Sequence, residues 1–437
     1  MKDTNTACDF NITDFNKTKE QMLNWVNRFS IFCFLDNHQY QIEPHSLECM
    51  LAAGARRQFL SEAGNAFENF QTFIEEKKGW LFGHLGYDLK NEIETLTSSH
   101  PDYIKFPDIF FFEPEIIIRL TERKIHIEGS DNAGKIYQEI QNMPLPGSQA
   151  PANRKLSIQE RISKKEYIDI INKLRYHILR GDCYEINFCQ DFFAENVEID
   201  PLVIYNKLST VSPNPFSALY KLNEKYLVCA SPERYLKKQG NKILSQPIKG
   251  TSSRFLPDRD RDEISKEELH RSEKDRSENV MVVDLVRNDL SRICKEGKVS
   301  VDGLYGIYSF PQVHQMISTV SGELRDEITF TEIIKSTFPM GSMTGAPKKR
   351  VMELIEQYEK TKRGIFSGAL GYIDPAGDFD FNVVIRSILY NAGRNYLSFP
   401  AGSGITFYSD AIKEYEECLL KAEAIRKVLS RGNVQKE

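Results

Sequence analysis

The hydrophobic period of this chain changes abruptly between residues 162 and 195, and no other feature constrains its fold as much. In ISKKEYIDIINKLRYHILRGD (162–182), Tyr167, Ile171, Leu174 and Ile178 fall on one helix face. Ser163 and Glu166 have capping-box spacing, and Gly181 stops the run. The next stretch, CYEINFCQDFFAE (183–195), alternates with period two, which predicts a strand. A long helix feeding directly into a strand recurs elsewhere beside hairpin-like pairs. Such a mixture favours an α+β fold with mostly antiparallel sheet.

The first part of the chain has the same character. RFSIFCFLDN (28–37) reads as a buried strand ending in a turn, and AFENFQTFIEEKKG (66–79) as a helix on Phe67, Phe70 and Ile74. WLFGHLGYDLKNEIE (80–94) begins as a strand in which Gly83 and Gly86 suggest a bend or a close backbone approach. DIFFFEPEIIIRL (108–120) is two strands split by Pro114, and KIHIEG (124–129) is another. Three prolines and a glycine in 142–155 mark a linker between an N-terminal region, 1–145, and a second region, 156–432. No internal repeat is visible. Lys and Arg number 57 against 62 Asp and Glu, a net charge of −5, which argues against nucleic acid or an anionic membrane as partner. No apolar run approaches the ~20 residues that span a bilayer, and the first residues carry no secretory pattern. The eight cysteines form no Cys-x-x-Cys pair, so free thiols in a reducing cytoplasm are expected. The histidines lack zinc spacing.

Chemistry concentrates after residue 180. SQPIKGTSSR (245–254) sets Lys249 in a stiff turn, either as a solvated ammonium or as an amine nucleophile. SEKDRSENVMVVDLVRNDL (272–290) reads as a helix placing Glu278 on a stripe with Val282 and Leu285. That carboxylate either pairs with Lys274 or Arg271 or points inward as a ligand or acid. SDAIKEYEECLLKAEAIRKVL (409–429) is a helix with Glu414 and Glu417 on one face and Lys421 at i+4 from Glu417. The pair is routine as surface chemistry; joined to Glu278 it makes a hard-oxygen site suited to Mg²⁺. Two glycine turns, FPMGSMTGAPKKR (338–350) and FPAGSGITFYSD (399–410), fail the phosphate-loop and dinucleotide patterns but can offer backbone N–H groups to an anion.

Together, GDCYEINFCQ, SPERY, PIKGT, SEKDRSENVMVVDLVRNDL, QVHQMISTVSGEL, MGSMTGAPKKR, NVVIRS, AGSGI and EYEECLLKA, in this order over roughly 160–430, resemble the chorismate-binding enzymes. The N-terminal part is similar more loosely, through GHLGYDLKNEIE. The resemblance implies two large antiparallel sheets packed as a core sandwich flanked by helices, with the N-terminal strands added to it. In the aminodeoxychorismate synthases of this family the PIKGT-type motif carries a lysine that attacks C2 of chorismate, whereas the anthranilate synthases have alanine there. The resemblance therefore implies amination of chorismate to 4-amino-4-deoxychorismate for folate biosynthesis, with anthranilate formation as the alternative. Lys249 is then expected to have a depressed pKa, Glu233 to act as acid or base at the departing hydroxyl, and His314 to stand near C4. Glu278, Glu414 and Glu417 are implied as Mg²⁺ carboxylates. Tyr372, Arg386, Lys421, Gly402 and Gly404 are implied around the substrate carboxylates, and Thr251 and Thr344 as pocket lining. Glu185 stands where relatives often have glutamine, or a water-activating lysine in the isochorismate synthases, which argues against hydrolysis at C2. Asn37 replaces a tryptophan-binding serine. No Gly-x-Cys-x-Gly elbow occurs in the sequence, so ammonia is expected from a separate glutamine amidotransferase subunit.

Overall fold

The computed structural model describes residues 7–40, 48–129, 132–145, 156–311 and 313–430. Most of the expected linker, 146–155, lies outside them. The helix after residue 162 forms at Lys164–Leu179, with Ser163 accepting the Glu166 N–H, and the strand follows at Glu185–Glu195. The alternation does not sort buried from exposed residues, because all of that strand except Glu195 is buried. It sorts two cores instead. Cys189 and Phe193 enter one apolar cluster, while Ile186, Phe188 and Phe192 enter another. The strand Ile31–Asp36 divides likewise, Ile31 and Cys33 against Phe32 and Phe34. A sheet covered on both faces has no need of polar residues on either.

Among the described residues the strands form two sheets, of twelve and ten strands, with antiparallel pairing throughout. The first cluster draws on both sheets and on helices Ala66–Glu76, Glu273–Ser291 and Phe330–Thr337. The second fills the space between the twelve-stranded sheet and six helices, among them Lys164–Leu179, Lys348–Tyr358 and Ala411–Ser430. This is the sandwich flanked by helices that the resemblance implied. N-terminal strands are built into both sheets: Ile31–Asp36 pairs with Phe216–Leu222, and Leu81–Leu85 pairs with Ala369–Ile373. No helix among the described residues is long and apolar enough to cross a membrane.

Two passages between the sheets position the chemistry. Lys225–Ser231 lies in the larger sheet and Arg234–Gln239 in the smaller, so the chain changes sheet at 232–233. It changes back at 384–386, between Phe379–Val383 and Ser387–Asn391. The corners brace each other: Val383 N–H donates to Glu233 O at 3.0 Å, and Ala230 N–H to Arg386 O at 3.2 Å. Arg386 holds a left-handed φ of 50°.

Candidate active site

Lys249 lies on Ile248–Ser253, the strand at one end of the smaller sheet, and Glu185 opens the strand Glu185–Glu195 of the larger. Their side chains meet across the gap, Lys249 Nζ donating to Glu185 Oε1, with side-chain exposures of 10% and 3%. Glu185 Oε2 is buried without a hydrogen-bond partner. Gly404 makes room for the pair: a Cβ there would stand 2.7 Å from Glu185 Oε1 and 2.8 Å from Lys249 Nζ. Burial pulls the Lys249 pKa down, but the carboxylates of Glu185, Glu278 and Glu233 outweigh it and hold the ammonium above the ordinary lysine value. This corrects the expectation of a depressed pKa. Desolvation is present as expected; the surrounding negative charge was not visible in the motif.

Glu233 sits at the first sheet-changing corner, buried, with Ser342 Oγ donating to Oε1 at 2.6 Å. Burial raises its pKa to about 7, against the opposing pull of Ser342, Lys249, the Ile248 backbone and Arg386. Arg386, at the second corner, is pushed down to about 10 by burial despite Glu233. A carboxyl that can hold or release a proton near neutrality thus stands beside the Lys249 amine.

The acidic residues of the two helices converge on shared cations. Burial lowers the Lys274 pKa, but Glu278, Glu414 and Glu417 together raise it above the usual value. Burial raises that of Glu417, but Lys421, Lys274 and Lys249 hold it below the carboxylate norm. Glu278 is pushed up to about 7, chiefly by burial; its Oε1 has no hydrogen-bond partner, and Lys274 Nζ lies 3.8 Å away. Glu417 pairs with Lys421 at 2.7 Å, and Glu414 accepts from Ser403 Oγ at 2.6 Å. Glu414 is thereby committed to the strand, and among the described residues no three His, Cys, Asp or Glu side chains form a group that could hold a metal. Glu278 and Glu417 remain as two carboxylates, one with an orphan buried oxygen. That donor set suits a hard cation which takes its other oxygens from water and substrate.

The remaining expected residues divide. Gly402 and Gly404 lie within the strand Tyr396–Ile405, not in a turn. A Cβ on Gly402 would collide with Phe188 O of the paired strand, the close approach that glycine in a strand often signals. Lys421 Nζ donates to Gly402 O at 3.1 Å. Thr344 is buried, its hydroxyl donating to Met340 O. Thr251 is exposed. His314 is buried, with Nδ1 2.8 Å from Ser309 Oγ and Nε2 3.2 Å from Asp262 Oδ1, so both nitrogens are engaged away from Lys249 and Glu233. Gln315 beside it, opposite Thr251 in register, is buried with an unpartnered amide oxygen. Tyr372 is not brought to this site. It lines a separate cavity of about 80 Å³ with Asn37, Tyr40, Arg234 and Asp380. Its strand, Ala369–Ile373, pairs with Leu81–Leu85 and packs Tyr372 beside Trp80 and Phe82. Sequence reasoning missed Ser342, although it sits in a quoted glycine turn, and it missed Lys274 as the cation shared by three acids.

The site thus gathers the buried Lys249, the near-neutral carboxyl of Glu233, the Arg386 guanidinium and the carboxylates of Glu278 and Glu417. A family model described as chorismate binding enzyme matches residues 25–427. An anthranilate synthase component I-like protein of Synechocystis is 33% identical over 365 residues, covering 83% of this chain and 74% of that one. The aminodeoxychorismate synthase component 1 of Bacillus subtilis is 31% identical over 383 residues, covering 84% and 79%. Among solved structures, anthranilate synthase component I from Streptococcus pneumoniae aligns with a TM-score of 0.75 at 25% identity, covering 89% of this chain and 94% of that one.

Proposed function

The chain belongs to the chorismate-binding enzyme family, and from that premise we propose that it is the chorismate-aminating component of an aminodeoxychorismate synthase. The observation that carries this reading is the buried amine of Lys249, set among carboxylates beside an acid of near-neutral pKa. In the proposed reaction neutral Lys249 Nζ bonds to C2 of chorismate. The ring double bonds shift, and the C4–O bond breaks as Glu233 protonates the departing hydroxyl to water. Ammonia from a separate glutamine amidotransferase subunit then bonds to C4, the double bonds shift back, and the amine of Lys249 leaves C2. The product is 4-amino-4-deoxychorismate, a precursor of 4-aminobenzoate for folate. Arg386 suits a substrate carboxylate because its fork pairs such a group bidentately. When bound, Mg²⁺ supplies charge neutralisation for a substrate carboxylate, with Glu278 and Glu417 as the residues that would hold it. The alternative, an anthranilate-forming component, is favoured by the name of the Synechocystis relative.

The proposed mechanism is tested by incubating the protein with chorismate and Mg²⁺ without ammonia. The chain should gain the mass of chorismate less water, on the peptide containing Lys249; a chain that never gains it contradicts the covalent route. Two further outcomes follow. With Glu233 as the acid, kcat should fall on the alkaline side of about pH 7, because its protonated form is lost there. Glu233→Gln should remove that limb and lower kcat by roughly 10²–10⁴-fold. A limb that persists in Glu233→Gln assigns it to another group. Glu417→Gln should weaken Mg²⁺ and chorismate binding together, since one ion bridges protein and substrate. An unchanged Mg²⁺ requirement in that variant, measured by titration calorimetry and rate, would speak against the assignment.

A further inference from the structure

The reading above needs a neutral amine, yet the site holds Lys249 as an ammonium. Among the described contacts, the hydrogen-bond partner of Nζ is Glu185 Oε1. Glu185 is 2% exposed, anchored at the start of its strand, where it pairs with Ala346. Its second oxygen is buried and unpartnered. The gap at Gly404 lets the two groups lie in direct contact, with no side chain between them.

We propose that Glu185 is a catalytic residue, the proton acceptor that converts the Lys249 ammonium into the attacking amine. The inference rests on Lys249 being the nucleophile. The step balances simply: the proton leaves Nζ, the N–H electron pair stays on nitrogen, and Glu185 becomes a neutral carboxylic acid. The lone pair then forms the bond to C2. When ammonia displaces the lysine, the departing amine takes a proton back from Glu185, so the pair returns to its starting state. Water is not needed, which suits a pair this deeply buried. Reach also favours Glu185. Glu278, Glu233 and Glu417 also act on Lys249 electrostatically, and Arg386 acts on Glu233, but none of them hydrogen-bonds to Nζ. The opposed reading makes Glu185 a clamp that holds the lysine charged and idle. The two readings predict opposite effects of the same substitution.

The test measures formation of the chorismate adduct on Lys249, without ammonia, as a function of pH. In the wild type the proton passes inside the pair, so the rate should be nearly flat below about pH 7 and fall above it only as Glu233 loses its proton. Glu185→Gln should slow it by about 10²-fold near pH 7, with the rate climbing about tenfold per pH unit up to that pH and levelling above it, where the gain in neutral amine is offset by the loss of the Glu233 acid. Glu185→Asp keeps an acceptor one methylene further back and should be slower than wild type with the same pH profile. A Glu185→Gln variant that forms the adduct as fast as wild type or faster near pH 7 overturns the proposal and identifies a clamp. If Glu185→Gln does not fold, Glu185→Asp decides: a slower rate with the wild-type pH profile supports the proposal and an unchanged rate contradicts it. A wild type that forms no adduct removes the nucleophile reading itself, an outcome distinct from an adduct indifferent to residue 185.

Discussion

Lys249→Ala is expected to form no chorismate adduct and to lose 4-amino-4-deoxychorismate synthesis by roughly 10³-fold or more. A tethered amine at C2 has an effective concentration that free ammonia does not match. Residual turnover should shift toward 2-amination, and hence toward anthranilate, because the vacated space admits ammonia at C2. Removing the ammonium also leaves Glu185 buried without its partner, so loss of activity could reflect loss of structure. Lys249→Arg separates the two. It keeps a positive charge against Glu185 and should preserve the denaturation midpoint, yet guanidinium stays protonated and cannot add to the ring. An arginine variant that still aminated C4 at the wild-type rate would return Lys249 to an electrostatic role.

The second large effect is on stability. Arg363 and Glu359 form an ion pair with side-chain exposures of 3% and 6%, Nε to Oε2 at 2.9 Å and Nη2 to Oε1 at 2.6 Å. Arg363 also donates to Met343 O and Asn187 O, and Glu359 accepts the Cys189 N–H. The pair therefore ties the turn that carries Ser342 to the strand that begins at Glu185. Arg363→Met should cost about 3–5 kcal/mol, because it strands a buried carboxylate. The urea midpoint reads this directly. Adding Glu359→Leu should recover part of the loss, since an apolar pair of similar volume carries no unpaired charge. A single variant that loses less than about 1 kcal/mol would show that water reaches the carboxylate.

Local pattern made the elements legible in sequence. The cap at Ser163, the switch to a strand near residue 183, and the strand break at Pro114 all appear where the period and turn residues put them. Burial was less legible. The strand Glu185–Glu195 alternates as if one face met solvent, but both faces are covered, and only the packing of the second sheet and the helices decides that. At the site, motif order gave Lys249, Glu233, Glu278, Arg386 and Glu417, and the structure brings these together. It could not give their charge states, since Glu185 lies 64 residues from Lys249 along the chain. Nor could it show that Glu233 and Arg386 are corner residues, because a change of sheet is a property of distant pairing. Tyr372 shows the same limit: motif order put it around the substrate, but its side chain lies with Trp80 and Phe82. The glycines at 402 and 404 read as a turn because the sequence hides what approaches them, a carbonyl oxygen in one case and the Lys249–Glu185 pair in the other.

The most direct test of the central claim is the identity of the product. The purified chain, given chorismate, Mg²⁺ and an ammonium salt, should release 4-amino-4-deoxychorismate, identified by mass spectrometry with its enolpyruvyl group intact. Accumulation of anthranilate with an equivalent of pyruvate, and no 4-amino-4-deoxychorismate, would contradict the account.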